Sequence, residues 1–369
     1  MMPSQKFFKI VDCGDKFIRF SNADGKRWIM PVRKIRTAMN LYQPSGIKGK
    51  LVKVLLPYTY WVRFVRRFIH AKILKIELRE DLFNLIQNIL YITDLQYSIF
   101  EGTPSVHQKP TIQLSQGRKI LAYCKISDNA DIIHLFKNEQ QTLDYLRDKG
   151  VRQIPRCLFC DKMDDELYLF IQSTQKSNQS KVIHRWTNQH QDFIQQLYEC
   201  TKIRCRFEDT DFAKSLNRLE SYIGNFPVSD STILKASISK VRNYYGCHSE
   251  VEFSAYHGDF TPWNMFFERG ELFVFDFEYY LNSFPPYLDA FHFITQIAIL
   301  EKGLNVGETY NDYCVFRKSS LRYIMDTDVK YISYLLFIIS FYCQRNSRSF
   351  INNDRSYKCW IGLIERLLG

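Results

Sequence analysis

The N-terminal part of the chain opens with apolar and polar residues in alternation. The segments KFIRFSN and RWIMPV flank a polar turn that contains Asp24 and Gly25, and this arrangement predicts a β-hairpin. From Leu51 to Ile76 the apolar positions recur at helical spacing, so we predict a helix with a break near Pro57. A second helix is predicted from Glu80 to Leu90.

A different texture begins at Tyr97. Short apolar runs are separated by turns, and one longer segment with helical periodicity ends at Gly150, which fits the residue that commonly follows a helix. The order is three strands, one helix and two strands, which predicts a small α+β lobe. The five predicted strands cover residues 97–100, 109–114, 120–126, 156–162 and 166–172.

Beyond Ser173 a polar connector leads into a mainly helical region. One hairpin interrupts the helices, which is typical of a second, larger lobe. The longest apolar run, from Tyr331 to Cys343, is shorter than the roughly 18–20 residues that a membrane-spanning helix needs. It therefore predicts a buried core helix. The earlier helices are predicted at His190 to Lys202, Asp211 to Ile223 and Thr232 to Tyr245.

Cysteine usage indicates a reducing compartment. The chain has ten cysteines, and its first residues carry charges where a secretory leader would be apolar. We therefore expect reduced thiols and a cytoplasmic protein. Cys157 and Cys160 form a lone CxxC without a second pair of zinc ligands, so half-buried strand cysteines are favoured over a metal site.

The positive charge is concentrated in the first hundred residues. The net charge is +11; residues 1–100 contain 18 Lys+Arg and 7 Asp+Glu, a difference of +11, so the remainder contains 32 of each. Arg63, Arg66 and Arg67 are predicted on one helical face beside Trp61 and Phe68. This face could pack against the small lobe with its arginines in solvent, lie on an anionic membrane surface, or bind nucleic acid. No nucleic-acid reading module accompanies the charge, so no specific nucleic acid is expected.

Polar residues with the chemistry of phosphoryl transfer lie between His257 and Asp276. Asp259 and Asn264 stand on a short loop braced by apolar residues, and a predicted hairpin ends at Asp276. Two carboxylates and an amide are hard oxygen ligands that suit Mg²⁺. One carboxylate can instead accept the proton of a hydroxyl group. We expect Asp259, Asn264 and Asp276 to converge on one cation-sized site that faces Lys125.

The spacing His257-x-Asp259-x₄-Asn264, followed by Asp276-Phe277-Glu278, resembles the catalytic and metal loops of the aminoglycoside phosphotransferase and choline kinase family, which are distant relatives of protein kinases. Tyr287-Leu288-Asp289-Ala290 is similar to the acidic helix start of that family. The resemblance covers roughly residues 97–300.

The resemblance implies a role for each matching residue. Asp259 would be the catalytic base, Asn264 and Asp276 the magnesium ligands, and His257 a brace for the loop. Lys125, at the end of the third strand, would bind the nucleotide.

Three further residues complete the implied nucleotide site. Glu139 would be the partner of Lys125, and the alternative is that both mark solvated surfaces. The backbone from Gly102 to Ser105 would cap a phosphate.

The chain departs from the protein-kinase pattern in its glycine-rich loop and in its catalytic and metal motifs. The glycine-rich loop retains only Gly102. His-Gly-Asp replaces His-Arg-Asp, so the arginine that receives an activation-loop phosphate is missing. Asp-Phe-Glu replaces Asp-Phe-Gly, and no Ala-Pro-Glu follows. These departures favour a small-molecule kinase over a protein kinase.

We therefore expect an α+β, two-lobed, protein-kinase-like fold with an extra N-terminal region. Residues 1–95 would form a basic accessory region, 96–174 the small β-rich lobe and 175–369 the mainly helical large lobe. The expected activity is ATP- and Mg²⁺-dependent phosphorylation of a hydroxyl on a small molecule, sugar or glycolipid, such as an envelope polysaccharide or lipopolysaccharide precursor. A protein kinase and a catalytically inactive kinase-like binding module are the alternatives. Peripheral contact with the inner, anionic membrane face is expected from the N-terminal charge.

Overall fold

The structure is a computed structural model that describes residues 6–44, 46–102, 108–164, 166–322, 324–346 and 354–369. The chain forms two compact units, and each is assembled from segments that are separate in the sequence. The first unit comprises Met1–Arg147, Gln153–Val182 and Phe266–Glu278, and the second comprises Asp148–Arg152, Ile183–Met265 and Tyr279–Gly369. These boundaries differ from those of the predicted regions 1–95, 96–174 and 175–369. The assignment of an accessory region and two lobes to those regions stays a prediction.

A nine-stranded antiparallel sheet organises the first unit, in the order β1-β4-β2-β3-β5-β6-β7-β9-β8. Residues 1–95 therefore do not form a separate body, because their strands continue the sheet of the predicted small lobe. The strands are β1 (Phe8–Ile10), β2 (Lys16–Ser21), β3 (Arg27–Pro31), β4 (Lys72–Leu78), β5 (Gln96–Gly102), β6 (Thr111–Gln116), β7 (Lys119–Ser127), β8 (Cys157–Lys162) and β9 (Tyr168–Ser173).

The predicted N-terminal hairpin is confirmed, since β2 and β3 pair from Phe17 with Pro31 to Ser21 with Arg27. Two apolar clusters cover the two faces of this pair, because successive side chains of a strand point to opposite sides. Phe17 belongs to a cluster that includes Leu82, and Ile18 belongs to a cluster that includes Leu56. The helices of this unit are α1 (Ile35–Ala38), α2 (Ile47–Thr59), α3 (Arg63–Phe68), α4 (Glu80–Leu90) and α5 (Ala130–Asp148), whose last residue falls in the second unit.

The helix predicted from Leu51 to Ile76, with a break near Pro57, is confirmed as helical up to Phe68, with a break at Tyr60 to Val62, and is wrong beyond Phe68. The chain forms α2 and α3 and then the strand β4, which pairs with β1 and β2. The strand forms because it pairs with β1 and β2, and this pairing buries the side chains of Ile76 and Leu78 on one face. Pro57 lies inside α2 near its end, and Trp61 lies in the turn between the two helices.

The second unit is mainly helical, as predicted. A small sheet in the order β10-β11-β14 lies among the helices. The helices of the second unit are α6 (Asn188–Thr201), α7 (Asp211–Tyr222), α8 (Val228–Gly246), α9 (Leu288–Gln296), α10 (Val306–Ser319), α11 (Thr327–Asn346) and α12 (Arg355–Leu368). The strands are β10 (Ile203–Cys205), β11 (Val251–Tyr256) and β14 (Leu281–Phe284). The hairpin of β12 (Met265–Glu268) and β13 (Glu271–Val274) belongs to the first unit, apart from Met265.

The apolar run from Tyr331 to Cys343 lies within α11, and every residue from Tyr331 to Ser340 is buried. The predicted core helix is thus confirmed. None of the helices in the described part of the chain has both the length and the apolar character needed to cross a membrane. All ten cysteines are free, and Cys157 and Cys160 are half-buried on β8.

Lys176 is a buried cation in the connector between β9 and α6. Its ammonium donates to the Asn40 carbonyl at 3.2 Å and lies 5.9 Å from the centre of the Phe266 ring. No carboxylate of the described residues forms an ion pair with it. Burial lowers the pKa of Lys176 to about 7, and the charge of Lys53 acts in the same direction.

Lys176→Met should raise the free energy of unfolding by about 2–4 kcal/mol near pH 7, because methionine fills a similar volume without a buried charge. The pKa of Lys176 rises from about 7 in the folded state to its ordinary value in the unfolded state, so the wild type gains stability as the pH rises through this interval. The variant should lack that gain, and its advantage should shrink towards pH 10. Chemical denaturation between pH 6.5 and 9.5 tests this, with exposed Lys162→Met as the control. A constant difference across the pH range would contradict the account.

Candidate functional site

Lys125 lies near the end of β7, in the interior of the nine-stranded sheet. Its backbone neighbours are Thr111 on β6 and Phe170 on β9. Its ammonium lies 5.4 Å from the centre of the Phe170 ring, on the neighbouring strand. Only 6% of Lys125 is exposed, which excludes the alternative of a solvated strand end.

Two carboxylates accept hydrogen bonds from the Lys125 ammonium. Glu139 Oε2, on α5, and Asp276 Oδ1, after β13, each lie 2.6 Å from Lys125 Nζ. Glu139 is fully buried, so it does not mark a solvated helix face. The structure therefore brings together three of the predicted site residues, and all three belong to the first unit.

The charges in this cluster determine its protonation. Burial would lower the pKa of Lys125, but Asp276 and Glu139 outweigh burial and raise its pKa well above the ordinary value. Burial raises the pKa of Glu139, and negative Asp276 and Glu278 act in the same direction, while Lys125 opposes them. Lys125 is therefore held as a cation, and the acidic groups repel one another around it.

Glu278 is a fourth member of the cluster that the sequence analysis missed. It is buried, pairs with Lys109, and accepts through its backbone carbonyl from Asn138 Nδ2 at 2.9 Å. The signal for it was present, because a carboxylate stands where protein kinases have the glycine of Asp-Phe-Gly.

The carboxylates of this cluster are suited to a hard cation. One carboxylate oxygen each from Glu139, Asp276 and Glu278 lie within 4.8 Å of one another. Glu139 Oε1 is buried and has no hydrogen-bond partner among the described residues. Three carboxylates with a free buried oxygen fit the ligand preferences of Mg²⁺.

Asp276 has a backbone conformation that residues other than glycine rarely adopt. Its φ is +71°, in the left-handed region, where strain of about 1–2 kcal/mol is expected. The ion pair with Lys125 supplies an interaction that offsets this strain. The chain thus bends sharply at the residue predicted to bind metal.

The predicted phosphate-binding backbone is described only in part. Gly102, the last residue of β5, has a φ of +76°, which glycine adopts without strain. Ser105 lies outside the described residues, so its predicted role stays a prediction.

The second unit positions the other predicted residues on the loop after β11. The His257 amide donates to Asp289 Oδ2 at 3.0 Å, and the His257 ring accepts from the Asp259 amide through Nδ1 at 3.1 Å. Burial raises the pKa of Asp289 to about 7, against the opposing effect of the backbone donors from His257 and Gly258. His257 and Asp289 together fix the path of the loop.

Gly258 is required by its surroundings as well as by its backbone. Its φ is +87°, and a Cβ atom here would lie 2.5 Å from the Tyr279 carbonyl oxygen. A side chain does not fit without moving that backbone. The replacement of arginine by glycine in the His-Gly-Asp motif therefore has a steric reason.

Asp259 is oriented by two side chains. Asn264 Nδ2 donates to Asp259 Oδ2 at 2.7 Å and to the Asp259 carbonyl at 3.0 Å. His292 Nε2 lies 3.2 Å from Asp259 Oδ1. The Asp259 side chain is 34% exposed, so a substrate group could reach it. Asn264 thus donates twice to Asp259 through its side-chain nitrogen.

His292 and Asp289 were missed as members of this group. The sequence identifies Asp289 only as an acidic helix start, and His292 follows it by three residues on α9, hence on the same helical face. His292 is buried, and its Nδ1 has no hydrogen-bond partner among the described residues. The convergence of Asp259 and Asn264 with Asp276 stays a prediction.

Gly258→Ala should lower the free energy of unfolding of the second unit by about 3 kcal/mol or more, the sum of left-handed backbone strain and displacement of the Tyr279 carbonyl. Gly303→Ala is the matched control in the same unit. Its φ is +65°, but a Cβ there meets only the Arg355 side chain at 3.6 Å, so only about 1–2 kcal/mol should be lost. Urea denaturation of both variants measures the difference. Equal losses would show that the contact with Tyr279 is unimportant.

Known proteins resemble this chain in structure only. No protein-family model matches it, and no curated protein sequence matches it. A thermostable mutant of aminoglycoside phosphotransferase APH(4)-Ia in its apo form has a TM-score of 0.51 and 11% identity, over 77% of this chain and 97% of that chain. A further variant of the same thermostable enzyme, in a ternary complex with ADP and hygromycin B, has a TM-score of 0.51 and 8% identity over the same shares.

A fructosamine-3-kinase from Haemophilus somnus shows a weaker likeness, with a TM-score of 0.44 and 11% identity over 71% of this chain and 88% of that chain. The two APH(4)-Ia structures carry the comparison. The predicted structural resemblance is confirmed. The chain has the two-lobed, α+β, protein-kinase-like fold of the aminoglycoside phosphotransferases.

Proposed function

We propose that this protein is an ATP- and Mg²⁺-dependent phosphotransferase that acts on a hydroxyl group of a small molecule, sugar or glycolipid. The observation that carries the proposal is the buried Lys125 ammonium, held at 2.6 Å by both Glu139 and Asp276. Burying a lysine with two carboxylates has a desolvation penalty that can exceed the attraction between the charges, so the arrangement contributes little to stability by itself. It suits the binding of nucleotide phosphates together with a cation.

The residues of the first unit would bind the metal-nucleotide. Lys125 would contact phosphate oxygens, with Glu139 holding its ammonium in place. Asp276 would hold Mg²⁺ in this unit, and Glu278 is a further carboxylate of the right chemistry. The role of Asn264 as a magnesium ligand stays a prediction from the resemblance. When bound, Mg²⁺ would neutralise phosphate charge and stabilise the charge that develops during transfer.

The residues of the second unit would handle the acceptor. Asp259 would accept the hydroxyl proton as the acceptor oxygen attacks the terminal phosphorus and the bond to the leaving ADP oxygen breaks. Asn264 and His292 would hold the carboxylate in one orientation. His257 would act on the loop rather than on the substrate.

The acceptor is proposed to be a small molecule rather than a protein. Gly258 occupies the position of the arginine that receives an activation-loop phosphate in protein kinases, and the contact with the Tyr279 carbonyl leaves no room for a side chain. The similar solved structures include complexes with ADP and hygromycin B. The basic N-terminal quarter favours an anionic or membrane-borne acceptor, such as an envelope polysaccharide or lipopolysaccharide precursor.

ATP consumption tests the proposal. The full chain is incubated with ATP and Mg²⁺, alone and with panels of sugars, aminoalcohols, glycolipids and peptides. Stimulation by a hydroxyl-bearing small molecule or glycolipid, abolished by EDTA, is expected. Stimulation by peptides alone would identify a protein kinase. Failure to bind or consume ATP would favour an inactive binding module.

Asp259→Ala should lower turnover by about 10²–10⁴-fold, the range for loss of a positioned general base, with little change in nucleotide affinity. Asp276→Ala should instead weaken binding of the metal-nucleotide. Steady-state kinetics and ADP titration separate these effects, and exposed Asp192→Ala on α6 is the control. Turnover that survives Asp259→Ala unchanged would come from another enzyme in the preparation.

His292→Ala should lower kcat by about tenfold, with KM for ATP unchanged, because one hydrogen bond that orients Asp259 is lost. His292→Gln retains a side-chain N–H at a similar reach and should recover most of the activity. Parallel kinetics and thermal melts of the two variants distinguish orientation from folding. Equal losses in both variants at equal stability would contradict a positioning role.

A further inference from the structure

Large apolar side chains are exposed along one stretch of the first unit. Eight of them, between residues 47 and 68, are more than half exposed to solvent. This density is unusual, because a protein surface in water normally carries such side chains singly. They are Ile47, Leu51, Val54, Leu55, Tyr58, Trp61, Phe64 and Phe68.

Helix α2 is apolar on two sides. Its inner side packs through Val52 and Leu56 on the cluster beneath β2 and β3, which fixes the helix to the sheet. Five of the exposed residues lie on the other side at positions i, i+4, i+7, i+8 and i+11, which form one continuous stripe. The stripe is Ile47, Leu51, Val54, Leu55 and Tyr58. The helix therefore buries what its own fold needs and presents a second apolar side outward.

The turn and α3 extend this stripe with aromatic residues. Trp61, Phe64 and Phe68 are 69%, 77% and 71% exposed. The segment is held in place rather than loose, since Arg66 donates to the Tyr60 and Trp61 carbonyls at 3.1 and 3.0 Å. The aromatic rings thus project from a backbone that is already anchored.

The charge around the stripe has one sign. Between Asp24 and Glu77 the sequence contains no acidic residue, whereas it contains thirteen basic ones. Lys48, Lys50 and Arg63 are exposed beside the apolar residues. The thirteen are Lys26, Arg27, Arg33, Lys34, Arg36, Lys48, Lys50, Lys53, Arg63, Arg66, Arg67, Lys72 and Lys75.

We propose that this apolar-basic face, residues 47–68, is a docking surface for an anionic lipid bilayer. Aliphatic and aromatic side chains gain by entering the acyl boundary, while the flanking lysines and arginines gain by lying near anionic headgroups. Nucleic acid would satisfy the cations but leave the aliphatic stripe in water. A second copy of the chain would bring two basic faces together, and the like charges would repel. The attachment would be reversible, because neither α2 nor α3 is long and apolar enough to cross the bilayer.

Vesicle co-sedimentation tests the proposal. The full chain is mixed with phosphatidylcholine vesicles and with vesicles that also contain phosphatidylglycerol, at low and high salt. Binding to the anionic vesicles, weakened by salt, is expected. Phe64→Ser with Phe68→Ser should reduce binding by about tenfold or more. Arg63→Gln with Arg67→Gln should have an effect of similar size; Arg66 is left intact because it holds the turn.

Val228→Ser with Val315→Ser is the matched control, because these side chains are equally exposed but lie in the second unit. The control should bind vesicles like the wild type, and thermal melts should show that every variant is folded. Absence of binding, or equal binding by the wild type and the Phe64/Phe68 variant, would overturn the proposal. Concentration-dependent dimerisation in the absence of lipid, lost in that variant, would assign the surface to a second copy and would also overturn it.

Discussion

The first unit depends on the ion pairs of one buried lysine. Lys125 binds Glu139, which is 14 residues away, and Asp276, which is 151 residues away. The contact therefore joins a central strand, the long helix and the hairpin that enters this unit from a distant part of the sequence. Removing one partner of a buried ion pair costs about 3–5 kcal/mol, whereas an apolar replacement of the whole group is often as stable. Because the cluster adds little to the free energy of unfolding, ligand binding explains it better than stability does.

The acidic residues around Lys125 give the cluster its chemical character. Asp276 adopts a left-handed backbone, and Glu278 is held by Lys109. Two lysines thus face three carboxylates, which leaves an excess of negative charge for a cation to balance. The second unit achieves order differently, through hydrogen bonds from Asn264 and His292 to one carboxylate and through a glycine whose place no other residue could take without displacing a carbonyl.

The sequence predicted those features that depend on local pattern. The N-terminal hairpin, the helix Glu80–Leu90 and the strand-helix order around Lys125 followed from periodicity and turns. The helix prediction for Leu51 to Ile76 failed at its C-terminal end, because the apolar residues there fit both the spacing of a helix and the alternation of a strand. The choice of strand at β4 is made by backbone partners on β1 and β2, which no local pattern reveals.

The same limit explains the missed site residues. Glu278 and His292 act through contacts with Lys109 and Asp259 that are distant in sequence. Conversely, periodicity alone could not identify the exposed side of α2. An apolar stripe on a helix normally predicts a buried face, and only the structure shows that a different face of α2 is the buried one. Motif residues were easier to find, since the spacing from His257 to Asp276 is itself the signal.

The most direct test of the account is calorimetric titration of ADP into the full chain, with Mg²⁺ and with EDTA. The cluster of Lys125 with three carboxylates should bind ADP well only when a cation offsets the repulsion between carboxylates and phosphates. We expect saturable binding with Mg²⁺ and affinity lower by about tenfold or more in EDTA. No binding at millimolar ADP, or binding that is indifferent to the metal, would contradict the account.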